Sequence, residues 1–423
     1  MQNDYRKRIA DDILQFRLKT AGAILIEGAK WCGKTRTATE NSNSQLYMQD
    51  PDKQMSYSQA ADAQPSLLLK GDTPRLLDEW QTAPVLWDAV RFEVDRSGDL
   101  GKFILTGSAV PKDNSVMHTG TGRISRMTMR PMTLFESGDS SGNVSLSSLF
   151  DGSADLAETS DLSIENIASL IVRGGWPASV GKPEEVAQRL ALDYVEAVIN
   201  RDVSQVDGVQ KNPARVRALM KSLARNISTT ATIKTIFDDI QENDTGDELS
   251  EKSIRQYLYA LERIFVIENI PAWKPSLRSK SAIRTSVKRQ FVDPSIAAAV
   301  LRLTPAKLLQ DFNYFGFLFE ALCARDLRVY AESIDGQLFH YRDSSGLESD
   351  LIIALNDGRW AAVEVKLGSS QIDEAAKHLV KISQKVDASK IGEPSFLMVL
   401  TGGELAYRRK DGVCVVPLGC LKN

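Results

Sequence analysis

Apolar positions in this chain form short runs at both ends and helical spacings in the middle. The runs Ile24-Leu25-Ile26, Leu76-Leu77 and Phe103-Ile104-Leu105 predict strands in the first third. Val186, Leu190, Tyr194 and Val198 recur at helical spacing and predict a helix over 183–203. Ile254, Leu258, Leu261 and Phe265 share one helical face, with Ser250 placed to cap it. Residues 312–330 predict a helix with a buried face. Residues 337–341, 350–355 and 360–366 predict three strands, the last two joined by an Asn356-Asp357-Gly358 turn. Between these regions, residues 138–163 are rich in Ser, Gly and Asp. They predict a surface linker with a short strand or turn near 144–150. The fold class expected is α/β at both ends around a helical middle.

Composition changes this picture little. At 423 residues the chain has room for about three domains of ~150 residues each. Hydrophobic residues at 43% and charged residues at 25% are ordinary globular values, so the core needs no staples. A net charge of −3 excludes a simple basic nucleic-acid binder, so any such surface must be local. No apolar run approaches the ~20 residues that span a bilayer, and no membrane association is expected. Charges interrupt the N-terminal stretch, which predicts an amphipathic helix rather than a signal peptide. Cys32, Cys323, Cys414 and Cys420 form no C-x-x-C pair, which argues for a reducing cytoplasm and against disulfides or structural zinc. His118, His340 and His378 are too scattered to suggest a metal cluster.

The chemistry begins at residues 28–35, which read GAKWCGKT after the first apolar run. This is the phosphate loop G-x-x-x-x-G-K-T. Gly28 and Gly33 let the backbone curl its N–H groups toward phosphate oxygens. Lys34 is expected to reach the β and γ phosphates of ATP, and Thr35 to hold Mg²⁺. The run Leu76-Leu77 ends in Asp78-Glu79, where Asp78 would bind Mg²⁺ and Glu79 would orient the attacking water. A third strand, 102–108, ends in hydroxyls where an additional-strand ATPase places its sensor; Ser108 is the first choice and Thr106 the second. Arg123, in a glycine-flanked loop, is placed to act as an arginine finger on a neighbouring subunit, with Arg126 and Arg130 as alternatives.

The order GxxxxGKT, LLDEWQ, ILTGS and GR before RPMTLFE resembles the bacterial and archaeal AAA+ ATPases that carry a C-terminal domain of unknown function, DUF4143. Gly174-Gly175-Trp176-Pro177 matches that family's GGxP turn, and Asn200-Arg201-Asp202-Val203 its Arg-Asp pair at a helix end. The resemblance covers nearly the whole chain and implies an ATP-hydrolysing homo-oligomer, for which a hexameric ring is one form. Arg201 is a candidate lid residue that senses nucleotide, or else half of a surface pair that caps the helix. Trp31-Cys32 and Trp80 depart from the family's usual residues. The expected division is an AAA+ core over 1–137, a linker over 138–163, a helical lid and winged-helix region over 164–290, and a nuclease-like domain over 291–423.

Two further features bear on function. Helix, polar break, helix and an apolar hairpin between 213 and 268 is a winged-helix pattern. Between Glu268 and Asp293 no residue is acidic, while Lys274, Arg278, Lys280, Arg284, Lys288 and Arg289 are basic, with Trp273 interleaved. That stripe suggests contacts to DNA phosphates; the bland alternative is a solvated wing facing an acidic protein surface. In the C-terminal region Asp350, Glu364 and Lys366 resemble the PD-(D/E)xK nuclease core, with Glu320 on the preceding helix. Alternating strand side chains put Glu364 and Lys366 on one face, and Asp350 on the neighbouring strand can join them. Asp350 and Glu364 would bind Mg²⁺ and Lys366 would position a water. Gln371 follows the strand and has no assigned place. The first function expected is an AAA+ ATPase acting on DNA. The alternatives are an ATP-controlled scaffold whose nuclease-like domain docks partners, and an ATP-gated toxin-type nuclease.

Overall fold

The computed structural model describes residues 5–107, 120–206, 208–243, 249–274 and 286–423. The chain divides into two compact units. The first comprises Met1–Pro131, Arg201–Gln210 and Tyr259–Val266; the second comprises Met132–Asn200, Lys211–Leu258 and Ile267–Asn423.

In the first unit the three apolar runs form strands, because each run supplies side chains to bury on both faces of a parallel sheet. Strands β1 (Ala23–Glu27), β2 (Ser44–Tyr47), β3 (Arg75–Asp78), β4 (Phe103–Gly107) and β5 (Ile124–Thr128) lie in the order β2-β3-β4-β1-β5. All four pairings are parallel. Ile24, Ile26, Leu76, Leu77, Ile104 and Leu105 are sealed from solvent; burying each contributes roughly 1.5–3 kcal/mol. Because β4 lies between β1 and β3, its Thr106 is in register with Ile26 on one side and Asp78 on the other. Trp80, the departure from the family pattern, is buried against Trp87 with ring centroids 4.9 Å apart. The N-terminal helix Ile9–Leu18 buries Ile9, Ala10, Leu14 and Leu18, the apolar face expected of it.

The second unit joins the helical middle to the C-terminal sheet. Its helices include Ile164–Arg173, Glu184–Ala197, Pro213–Arg225, Ile233–Asn243 and Phe312–Ser333. The helix expected over 183–203 runs from Glu184 to Ala197 and ends in a π-helical turn, Val198–Asp202. Ser253 N–H donates to Ser250 Oγ at 3.2 Å, capping the helix Glu251–Arg263. Phe265 lies past the end of that helix with φ of 57°, outside the face expected for it. Ile267 then pairs with Phe291 and Ile270 with Lys288 in antiparallel bridges, following three helices in the order of a winged helix.

The segment 138–163 is a correction to the sequence reading: it is tied into the C-terminal fold rather than left as a linker. Its β6 (Val144–Ser145) and β7 (Glu158–Thr159) both pair with later strands. Val144, Leu146, Leu149 and Phe150 are buried, so the polar composition hides four anchoring side chains. The main strands are β8 (Gly336–Arg342), β9 (Glu348–Leu355), β10 (Trp360–Lys366), β11 (Phe396–Thr401), β12 (Leu405–Arg408) and β13 (Cys414–Pro417); β14 (Leu421–Lys422) pairs with β6. The sheet order is β7-β12-β13-β11-β10-β9-β8. Strands β8, β9 and β10 form an antiparallel meander, and the helix Ile372–Lys385 crosses over to β11, parallel to β10.

A sealed ion network organises this unit. Arg325 pairs with Asp293 at 2.9 Å and with Asp326 at 2.7 Å, and all three side chains are at most 1% exposed. Asp293 also accepts from Gly175 N–H, and Asp326 from Leu134 N–H, each at 2.9 Å. The GGWP and RPMTLFE segments are thus held to the helix Phe312–Ser333 by a charged hub whose acceptors are satisfied by backbone donors.

Candidate functional site

The phosphate loop leaves β1 at Gly28, whose φ is 148°. A Cβ there would lie 2.1 Å from the Met129 carbonyl oxygen, so only glycine fits. Gly33 is also left-handed, at φ 106°, and starts the helix Lys34–Glu40. Trp31 occupies the left-handed region at φ 66° and is 52% exposed. A bulky residue in that region stores backbone strain, of order 1–3 kcal/mol, at the loop itself.

Lys34 is buried, and its ammonium donates to the carbonyls of Gly28 and Ala29, both at 2.8 Å. Thr35 Oγ1 lies 2.9 Å from Asp78 Oδ1. Thr106 Oγ1 donates to the same Asp78 oxygen at 2.6 Å and accepts from Glu79 N–H at 3.4 Å. The fold therefore converges the loop threonine and the carboxylate of β3 on one point, an oxygen set suited to Mg²⁺. Glu79 is left-handed, at φ 53°, and its carboxylate accepts from Gln81 Nε2. The preferred sensor, Ser108, lies outside the described residues, while Thr106 has the contacts expected of that role.

Sequence reasoning missed Asp202. Lys30 of the phosphate loop pairs with Asp202 at 2.6 Å, whereas Arg201, the residue expected at the nucleotide, is exposed. The signal was present in the Asn-Arg-Asp stretch, but it was read from its cationic member. Arg123 immediately precedes β5, at the end of the sheet where the parallel strands begin; the phosphate loop follows β1 at the opposite end. Its guanidinium pairs with Asp95 at 2.6 Å.

The second cluster forms on the meander of β8 to β10 and the helix before it. Lys366 pairs with Glu364 at 3.0 Å and with Asp350 at 3.5 Å. Asp350 Oδ2 accepts from Val365 N–H at 2.9 Å. Glu320 joins the cluster through a residue not assigned to it, Lys288, whose ammonium lies 2.6 Å from Glu320 Oε1 and 3.7 Å from Asp350 Oδ1. Burial pushes the Glu320 carboxyl up to about 7 against the pull of Lys288. Burial and the neighbouring Asp350 push Glu364 well above the carboxylate range. Burial would raise Asp350 too, but Lys288 and Lys366 together hold it below its usual value. Burial works against the charge on Lys366, yet Asp350 and Glu364 hold its ammonium above the ordinary range. Glu364, Lys366, Gln371, Glu374 and His378 line a cavity of about 310 Å³, which places Gln371 at the cluster.

These contacts correct two expectations. Asp350, Glu364 and Glu320 are each already paired with an ammonium, and among the described residues no group of three His, Cys, Asp or Glu side chains is set to hold a metal ion. As arranged, Asp350 and Glu364 do not fit Mg²⁺. The basic stripe is likewise reduced. Lys288 is buried, Arg289 is half-buried and donates to the Ala231 carbonyl at 3.2 Å, and Trp273 is core, 4.7 Å from the Trp360 ring. Lys274 is exposed, and Arg278, Lys280 and Arg284 lie outside the described residues.

Comparison with known proteins adds the following. Residues 20–137 match the model of an AAA domain, residues 164–307 that of a domain of unknown function, DUF8612, and residues 315–421 that of a domain of unknown function, DUF4143. No curated protein matches the chain. Among solved structures, the chain is similar to the Aeropyrum pernix ORC2 protein, determined in ADPNP and ADP complexes. That match has 12% identity and a TM-score of 0.31, over 73% of this chain and 98% of that one, a likeness too slight to argue from. Among the described residues no helix is long and apolar enough to cross a membrane.

Proposed function

We propose that this chain, a member of the AAA ATPases that carry a C-terminal DUF4143 domain, hydrolyses ATP in a homo-oligomer and acts on DNA through its second unit. The observation that carries the ATPase reading is the meeting of Thr35, Thr106 and Asp78 within hydrogen-bond distance beside the phosphate loop. On ATP binding, Lys34 exchanges the Gly28 and Ala29 carbonyls for phosphate oxygens. Thr35 and Asp78 would hold Mg²⁺, which supplies positive charge against the phosphates. Thr106 keeps the Asp78 carboxylate aimed, and Glu79, once released by Gln81, orients the attacking water. Arg123 cannot serve its own loop from the far end of the sheet, which supports its action on a neighbouring subunit, whether in a hexameric ring or another closed assembly.

The DNA reading rests on the winged-helix order of helices and bridges and on exposed Lys274, with Arg278, Lys280 and Arg284 as further candidates. The helix, meander, helix and parallel strand around Asp350, Glu364 and Lys366 support a nuclease-like C-terminal domain. A second reading, an ATP-controlled scaffold, draws on the same cluster: its carboxylates are satisfied by lysines, as a docking module requires. ATP turnover in Mg²⁺, with and without single-stranded, duplex and forked DNA, separates them when the DNA is then resolved on a denaturing gel. Stimulated turnover supports the DNA-acting ATPase, and cut strands add nuclease activity. Turnover indifferent to DNA, with uncut strands, supports the scaffold.

A further inference from the structure

We propose that Lys288 is a built-in counter-ion that locks the C-terminal acidic cluster, so that a divalent metal gains Glu320 and Asp350 only when the Lys288 ammonium leaves. This rests on reading the cluster as a nuclease-like site. The lysine comes from the middle of the chain, not from the motif. Its ammonium sits 2.6 Å from Glu320 Oε1, 3.7 Å from Asp350 Oδ1 and 3.0 Å from the Asp350 carbonyl oxygen. It thus bridges the two carboxylates that a dication would bridge, and its residue is only 8% exposed.

A long, flexible cation is not buried by chance. Desolvating an ammonium is expensive, and the cost is offset only where anions already require neutralising. Here they do: Glu320, Asp350 and Glu364 gather around one cluster, and Lys366 alone cannot pair with all of them. Asp350 is divided between two cations, with Oδ1 toward Lys288 and Oδ2 toward Lys366. A metal added to the cluster as it stands would face both ammoniums.

The backbone around Lys288 is pinned, so release falls to the side chain. Lys288 and Ile270 exchange two backbone hydrogen bonds of 2.9 Å, Arg289 N–H donates to the Thr229 carbonyl at 2.7 Å, and the Ser286 carbonyl lies 2.8 Å from His340 Nε2. Beside the ammonium is a cavity of about 210 Å³, lined by Thr229, Thr230, Glu320, Arg342 and Asp350 among others. That space can take a reoriented Lys288 side chain. The arm that carries Lys288 also carries Lys274, so an anionic polymer on the arm would compete with Glu320 for the ammonium.

The test is Mn²⁺ binding to the full-length, nucleotide-free chain, followed by the electron paramagnetic resonance of free Mn²⁺ and by calorimetry. Lys288→Gln can still donate to Glu320 and to the Asp350 carbonyl but carries no charge; Lys288→Met removes both. The lock predicts that each variant binds one Mn²⁺ at least about tenfold more tightly than wild type, and that adding Asp350→Asn abolishes the gain. If Lys288→Met does not melt cooperatively, Lys288→Gln carries the test. A folded Lys288→Gln with wild-type Mn²⁺ affinity overturns the lock. When that affinity is tight and depends on Asp350, the nuclease-like reading survives. When neither protein shows Asp350-dependent Mn²⁺, the metal reading of the cluster falls as well.

Discussion

Thr106 donates its hydroxyl to Asp78 at 2.6 Å, from the strand that separates Asp78 from the phosphate loop. The contact fixes which oxygen of Asp78 faces Thr35, because both hydroxyls meet the same Oδ1. A hydrogen bond to a charged group contributes about 1.5–3 kcal/mol. Thr106→Val should therefore lower ATP turnover by about ten- to a hundredfold. ATP binding, measured by fluorescent-analogue titration, should stay within about threefold, because Lys34 and the loop backbone are untouched. Thr106→Ser should recover most of the loss. Wild-type turnover in Thr106→Val would remove the residue from the site.

Arg123 gives a prediction that depends on assembly. Its position at the far end of the sheet from its own loop demands a partner's nucleotide. Arg123→Ala should cut turnover by about 10³ while leaving nucleotide binding nearly unchanged. Lys34→Ala alone should be inactive. Mixing the two inactive proteins should restore part of the turnover, since a Lys34→Ala subunit still offers Arg123 to an intact loop next door. No recovery on mixing, with subunit exchange verified by native mass spectrometry, would argue against action in trans.

Lys30 and Asp202 make a smaller claim. The pair closes at 2.6 Å, but Lys30 is 42% exposed, so its contribution is of the order of 0.5–1 kcal/mol. If Asp202 positions the loop through Lys30, Lys30→Ala and Asp202→Ala should each raise the KM for ATP about two- to fivefold, and the double variant no further. Additive effects would mean that the two residues act separately.

Much of this architecture was legible in the sequence, and the failures share a cause. The strand expected over 360–366 is β10, Trp360–Lys366, and its neighbour 350–355 begins two residues early, at Glu348. Unbroken apolar runs and a Gly358 turn are local signals, and local structure follows them. Lys288 failed because its partners, Glu320 and Asp350, lie 32 and 62 residues away, and linear charge patterning cannot tell an inward lysine from a solvated one. Trp273 failed in the same way, since its neighbours Tyr341 and Trp360 come from strands far along the chain. Asp202 and Thr106 could have been noticed, but their roles are set by register between strands or by a helix end, which spacing alone does not reveal.

The Arg325 hub predicts a large loss of stability. Removing the guanidinium strands Asp293 and Asp326 in a sealed interior, which costs about 3–5 kcal/mol when one member of a buried pair is deleted. Arg325→Met should lower the unfolding midpoint of the second unit in urea, or prevent its folding. Arg325→Lys should not rescue it, because a single ammonium lacks the fork that reaches both carboxylates. A midpoint shift below about 1 kcal/mol in Arg325→Met would show that the hub is not the anchor proposed.

His340 supplies the pH dependence. Burial, together with the nearby Lys288 and Arg342 charges, lowers its pKa to about 4, although its contact with the Ser286 carbonyl works the other way. An unfolded histidine titrates near 6.5. Between those values the unfolded chain binds a proton that the folded chain refuses, so the stability tied to His340 is present above about pH 6.5 and is lost as pH falls toward about 4. The full loss is about 3 kcal/mol, from 2.5 pH units at ~1.4 kcal/mol each. Glu320 acts with the opposite sign. Its folded value near 7 exceeds its unfolded one, so its contribution grows as pH falls from about 7 toward 4.5, and the two partly cancel in wild type. The difference between wild type and His340→Gln isolates the histidine. Urea unfolding at pH 7, 5.5 and 4.5 should show the wild type losing stability relative to the variant at each step down. A difference that stays constant with pH would mean that His340 titrates alike in both states and is not buried as a neutral ring.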